Sequence, residues 1–147
     1  MPATIYLTDL LLAMEWVSAA TYSENRAYVS RETGRIFWDP EAAGLDDELP
    51  ADVEDESLYV PVPGKNDLDL GQAVVFRFIE ANEPDAYEQV RSYFSRKGAY
   101  ARFKDFLDRR GLLDAWHAYQ DAATEAALRE WAQGEGFEPV AGERAER

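Results

Sequence analysis

The sequence predicts an α+β fold, mostly helical, with a small antiparallel sheet (a hairpin plus an edge strand) packed with about five helices. Short alternating apolar stretches fill the first half, and apolar residues recur at helical spacing from about residue 70 onward. Glycine and proline mark the turns and helix ends that separate them. The composition agrees: 147 residues, 46% hydrophobic and 13% aromatic, describe a folded chain. One domain over residues 1–140 is expected, followed by a disordered tail at 141–147. A domain of that size buries about 68–70% of its unfolded surface, so no metal or disulfide is needed for stability.

In chain order, Thr8 suits the N-cap of a helix running to about Ser18, with Leu10, Met14 and Val17 on its apolar side, joined by Leu7 and Leu11. Ala27-Tyr28-Val29 and Ile36-Phe37-Trp38 read as two strands joined through Arg31-Glu32-Thr33-Gly34, a hairpin loop. Residues 39–57, with Pro40, Gly44, Pro50 and a run of acids, form a long exposed loop. Leu58 to Val62 alternates like a strand, which Pro61 and Pro63 confine to a sheet edge.

Helices follow. Asp69-Leu70-Gly71-Gln72 fits a capping box before Leu70–Ala81, whose Val74, Val75, Phe78 and Ile79 face inward. Pro84 suits the first turn of the next helix, which carries Tyr87, Val90 and Phe94 to about Ser95. The central helix lies between Gly98 and Gly111. Ala99, Phe103 and Phe106 share one face with Tyr100 and Leu107, so two phenylalanines, a leucine and most of a tyrosine point inward, each large apolar side chain worth about 1.5–3 kcal/mol when buried. Residues 112–133 carry a stripe of Leu112, Trp116, Tyr119 and Ala123. Leu128 and Trp131 shift off it, so the segment is one helix or two, and a break near Asp121–Thr124 would account for the shift. Phe137 returns to the core ahead of Pro139. Trp38, Trp116 and Trp131 are expected as core.

Several chemistries are excluded. With no cysteine there is no disulfide, thiolate metal site or cysteine nucleophile. No phosphate-binding loop, dinucleotide fingerprint or Gly-x-Ser-x-Gly occurs. His117, the one histidine, lacks carboxylates at ligand spacing and is expected to be structural or on the surface. Asn66 to Gly71 fails as a calcium loop because Leu68 and Leu70 occupy ligand positions. No cofactor, metal ion or catalytic residue is expected. The Leu10–Met14 run lacks a preceding cation and is bracketed by Asp9 and Glu15, unlike a secretion signal. No stretch approaches the roughly 18 apolar residues of a membrane span, so a cytoplasmic protein with no membrane partner is expected.

Charge is unevenly spread. The formal net charge is −14, yet residues 96–110 hold Arg96, Lys97, Arg102, Lys104, Arg109 and Arg110 against two acids. Residues 46–56 hold Asp46, Asp47, Glu48, Asp52, Glu54, Asp55 and Glu56 and no base. The basic cluster has two readings. Arg96, Lys97, Gly98, Arg102 and Lys104 would form an anion site at the start of a helix, holding phosphate or a nucleic-acid backbone. Alternatively, Arg96-Lys97 and Arg109-Arg110 simply sit at the C-terminal ends of two successive helices, where cations belong. That second reading is preferred. The acidic loop lying over the basic helix is a further alternative, each exposed pair worth about 0–1 kcal/mol.

The run Gly98-Ala99-Tyr100-Ala101-Arg102-Phe103-Lys104-Asp105-Phe106-Leu107 resembles the Gly-Ala-aromatic-x-x-Phe-Lys-x-x-Leu signature of a bacterial group, uncharacterised protein family 0158. The likeness extends to Leu11-Leu12-Ala13-Met14-Glu15, to Tyr28 through Thr33-Gly34, to Trp116-His117-Ala118-Tyr119, to Glu130-Trp131 and to Gly136-Phe137-Glu138-Pro139. Ser30 and Arg31 stand where members usually carry acidic residues. The resemblance implies no activity, cofactor or catalytic residue.

The function expected is a non-enzymatic, cytoplasmic protein-binding or regulatory module. Its acidic face (Asp46, Asp47, Glu48, Asp52, Glu54, Asp55, Glu56) would be a polar rim or a polyanion mimic for a protein partner. The alternative is nucleic-acid or phosphate-ligand binding through the helix at 96–110, which the net charge disfavours. An enzyme comes third, for want of a recognisable constellation.

Overall fold

The structure, a computed structural model, describes residues 2–19, 25–39 and 50–144. The elements run β1 (Thr4–Tyr6), α1 (Leu7–Ala19), β2 (Arg26–Ser30), β3 (Ile36–Asp39), β4 (Tyr59–Pro61), α2 (Gln72–Asn82), α3 (Tyr87–Tyr93), α4 (Ala99–Arg109), α5 (Leu113–Gly134) and β5 (Glu138–Val140). With 55% of the described residues helical and a three-stranded antiparallel sheet, the α+β class holds. Two compact units divide the chain: Met1–Leu68 with Glu125–Arg147, and Asp69–Thr124.

In the first unit the sheet has the order β3-β2-β4, antiparallel throughout. The hairpin falls where the sequence places it. Ser30 accepts the Gly34 amide at 2.8 Å, and Gly34 sits at φ 77°, a left-handed conformation open to glycine. β4 is the edge strand that Pro61 and Pro63 require. A second, parallel pair joins the two ends of the chain, with Thr4 opposite Glu138 and Tyr6 opposite Val140. Neither strand of that pair is predicted by the sequence.

Because β1 runs into α1 with no loop, Thr8 lies inside the first helical turn and is not its N-cap. Its amide instead donates to the Gly142 carbonyl at 2.9 Å. Leu7, Leu10, Ala13 and Met14 turn inward, and the Trp16 ring meets Trp38 edge to face at 6.0 Å. Residues 141–144, which the sequence gives to a disordered tail, are held against this corner. The Arg144 amide donates to Asp9 Oδ2 at 3.0 Å and its guanidinium to the Thr33 carbonyl at 3.1 Å.

The second unit is helical. Val74, Val75, Phe78 and Ile79 of α2 are buried as expected. The capping box does not form: α2 starts at Gln72, Gly71 is its N-cap without a side-chain bond, and Asp69 lies upstream at φ 56°. Phe103, Phe106 and Leu107 of α4 are buried. Around Trp116 the rings of Phe78 and Phe103 pack edge-on at 5.4 and 5.0 Å. Tyr100 departs from expectation at 44% exposed. It lies about 60° round the helix from Phe103, at the rim of the buried stripe, and its ring meets Phe94 edge to face at 5.1 Å.

Of the one helix or two open to residues 112–133, the structure has one, continuous from Leu113 to Gly134 with no break near Asp121–Thr124. Its apolar stripe shifts because the residues through Thr124 belong to one unit and those from Glu125 to the other. Trp116 serves the core of the helical unit; Leu128 and Ala132 are buried in the unit that holds the sheet. Two helices end in the same device. After α4, Leu112 donates back to Leu107 at 2.8 Å and Gly111 to Asp108 at 3.2 Å. After α5, Phe137 donates to Ala132 at 2.9 Å and Gly136 to Gln133 at 3.1 Å. Both are Schellman caps with a left-handed glycine. The second also seats Phe137 on Trp131, with ring centroids 6.3 Å apart.

Candidate functional site

Two surfaces carry the residues singled out in the sequence, one in each unit. The acidic one precedes β4. Successive turns wind it: Val53 donates to Pro50, Asp55 to Asp52, and both Leu58 and Tyr59 to Asp55, at 2.9–3.1 Å. Val53 is the buried anchor of that run. Asp52, Glu54, Asp55 and Glu56 consequently point outward and are exposed. None of the four carboxylates has a cation partner among the described residues. Asp46, Asp47 and Glu48 lie outside the described residues.

Local bonds fix this turn. Asp55 Oδ1 accepts both the Ser57 hydroxyl at 2.7 Å and the Ser57 amide at 2.9 Å. Those bonds, the hydroxyl's first, hold the Asp55 carboxyl below its ordinary value of 3.8. A depressed carboxyl contributes stability above its unfolded value and loses it as pH falls through the folded one. Beside the turn, the Tyr59 phenol is raised above 10.0, first by desolvation and then by the charges of Asp52 and Glu32. A negative field therefore surrounds the start of β4.

Arg31 ties the turn to the end of α5. Its Nε donates to the Glu56 carbonyl at 2.8 Å, and its other nitrogens reach the carbonyl and carboxylate of Glu135, each at 3.3 Å. The cation sits where the helix dipole is negative. The sequence offers no sign of this role, because the contact joins residues 104 positions apart.

The edge of β4 has a definite polarity. Arg31 donates to Leu58 and Val62 to Ala27, both at 2.8 Å. By antiparallel alternation, the backbones of Leu58, Val60 and Val62 face β2, and those of Tyr59, Pro61 and Pro63 face away. The Tyr59 amide donates to Asp55, and the two prolines have none. The outward edge offers acceptors only. Next to it Leu58 is 42% exposed.

The basic surface lies at the start of α4. Gly98, at φ 77°, is the N-cap. Arg96, Lys97 and Lys104 are exposed, and Arg102 is half-buried. The Arg102 guanidinium folds back to donate to the Lys97 carbonyl. It lies against Gly98, about 3.5 Å from where a side chain would begin. At the other end Arg110 pairs with Glu83 at 2.5 Å and covers the Phe106 ring at 4.7 Å.

The helix-end reading accounts for Arg109 and Arg110, which close α4. It does not account for Arg96 and Lys97, since α3 ends at Tyr93 and the pair stands ahead of the positive end of α4. His117 is exposed. No group of three or more His, Asp or Glu that could hold a metal occurs among the described residues.

Charge divides with the units. Asp69–Thr124 carries eight basic and nine acidic residues, a net of −1, so 13 of the 14 net negative charges fall on the other unit. Fold and surfaces together define a small α+β protein with an acidic sheet edge in one unit and a basic helix start in the other. Comparison with family models, with curated proteins and with solved structures found no match to this chain. No described helix is long and apolar enough to cross a membrane.

Proposed function

We propose that this chain is a non-enzymatic protein-binding or regulatory module that acts in the cytoplasm through its acidic surface. On the run from Gly98 to Leu107 we also place it with uncharacterised protein family 0158. The observation that carries the reading is the outward set of Asp52, Glu54, Asp55 and Glu56, unpaired among the described residues. Charges arranged this way steer a basic partner into place and set specificity.

The test compares the wild-type chain with Asp52→Asn/Glu54→Gln/Asp55→Asn/Glu56→Gln as bait in a native extract. The wild type is expected to retain a basic protein that the variant releases, with retention falling as salt rises. Equal retention by both baits overturns the reading.

A second reading has its own support in the position of Arg96 and Lys97 ahead of α4, which helix-end complementarity leaves unexplained. There the exposed cations would hold phosphate groups of a nucleic acid. A protein neutralising four phosphates on duplex DNA would show a log–log salt slope of about −3.6. Absence of retention on nucleic acid at low salt, with Lys97→Glu indistinguishable from wild type, removes it.

A further inference from the structure

The outward edge of β4 selects how a partner binds. An added strand needs amides as well as carbonyls along the edge it joins. Here one amide is used internally and the next two positions in register are prolines, so strand addition would form half a ladder at best. What the edge presents are the carbonyls of Tyr59 and Pro61, neither accepting a bond from any described residue. Residues two apart in a strand place such groups about 6.5–7 Å apart. Groups that only donate are the complement of an edge that only accepts. Arginine is the best of them, with five N–H groups in a planar fork and weak hydration. The carboxylates beside the edge match its charge, and exposed Leu58 supplies an apolar contact inside a charged rim.

We propose that the β4 edge takes an arginine-bearing segment of a protein partner, whose guanidinium groups donate to the Tyr59 and Pro61 carbonyls while an apolar side chain rests on Leu58. This rests on the protein-binding reading and specifies its partner and mode: side-chain donors, without strand addition. The Asp52 and Glu32 charges, which add to desolvation in raising the Tyr59 phenol, act on the same place.

The experiment is titration calorimetry of the full chain with a blocked peptide of arginine, leucine and glycine, against the same peptide with lysine in place of arginine. The arginine peptide is expected to bind at least about tenfold more tightly than the lysine one, because a guanidinium brings five N–H donors and is more weakly hydrated than an ammonium. Leu58→Ser, at an exposed position, is expected to weaken it about fivefold as an interface anchor is lost. Pro61→Val restores an outward amide and keeps the carbonyl. Binding within about twofold of wild type supports donor side chains, whereas marked tightening reveals strand addition and overturns the proposal. Equal affinity for both peptides, or indifference to Leu58→Ser, also overturns it. If the arginine peptide fails to bind while the extract experiment still shows carboxylate-dependent retention, this inference falls and the module reading stands. Loss of both removes the module reading as well.

Discussion

Gly34 shows how one residue decides a junction. A Cβ built there would stand 2.0 Å from the Thr4 carbonyl oxygen and 2.8 Å from its carbon, both backbone atoms, on a residue at φ 77°. Gly34→Ala therefore combines left-handed strain with a clash that a side-chain rotation cannot relieve. Urea unfolding is expected to show a loss of about 3 kcal/mol or more. Gly111→Ala is the control: its φ of 70° is similar, but nothing lies within 4 Å, so about 1 kcal/mol is expected. Equal losses would refute the steric account of Gly34. The nearby Ser30 and Arg31 also have definite partners. Ser30 Oγ accepts the Thr33 amide at 3.2 Å, and Arg31 braces Glu56 and Glu135. An acid at position 31 would face two carbonyls and a carboxylate.

Among the elements, α4 separates core from surface most sharply. Phe103 is fully buried between Phe94 and Trp116, while Lys104 beside it is exposed. Phe103→Ala is expected to cost about 3–5 kcal/mol and Lys104→Ala no more than about 0.5 kcal/mol, read from chemical denaturation of each variant. The helical period made α2 and α4 legible from sequence, since four or more large side chains repeat on one face of each. The β1–β5 pair was not legible. Each strand has three residues, too few to show alternation, and nothing local marks a pairing between opposite ends of a chain. The shifted stripe left one helix or two open for α5, because a single helix that serves two cores in succession shifts its stripe as a break would. The acidic turn was legible as composition. Its accepting edge was not, because the meaning of Pro61 and Pro63 depends on register with β2, although their spacing of two was the available signal.

At the scale of the whole molecule, self-repulsion opposes attraction within pairs. The net charge is −14, nearly all of it on one unit, against partly exposed pairs such as Arg31–Glu135 and Arg110–Glu83. Such pairs contribute about 0–1 kcal/mol each and weaken as salt is added. Repulsion among many like charges weakens too, and the screening length falls from about 30 Å at 0.01 M to about 8 Å at 0.15 M. Which effect wins sets the sign of the salt dependence. Thirteen net charges confined to one unit outweigh a few pairs, so the midpoint of thermal unfolding is expected to rise between those two salt concentrations. A gain of about 1 kcal/mol would move it by about 2–4 °C for a chain of this size. The variant neutralised at Asp52, Glu54, Asp55 and Glu56 has a net charge of −10 and should show a smaller rise. A midpoint that falls with salt in the wild type would mean that the pairs dominate, and that the exposed carboxylates are too far apart to repel one another appreciably.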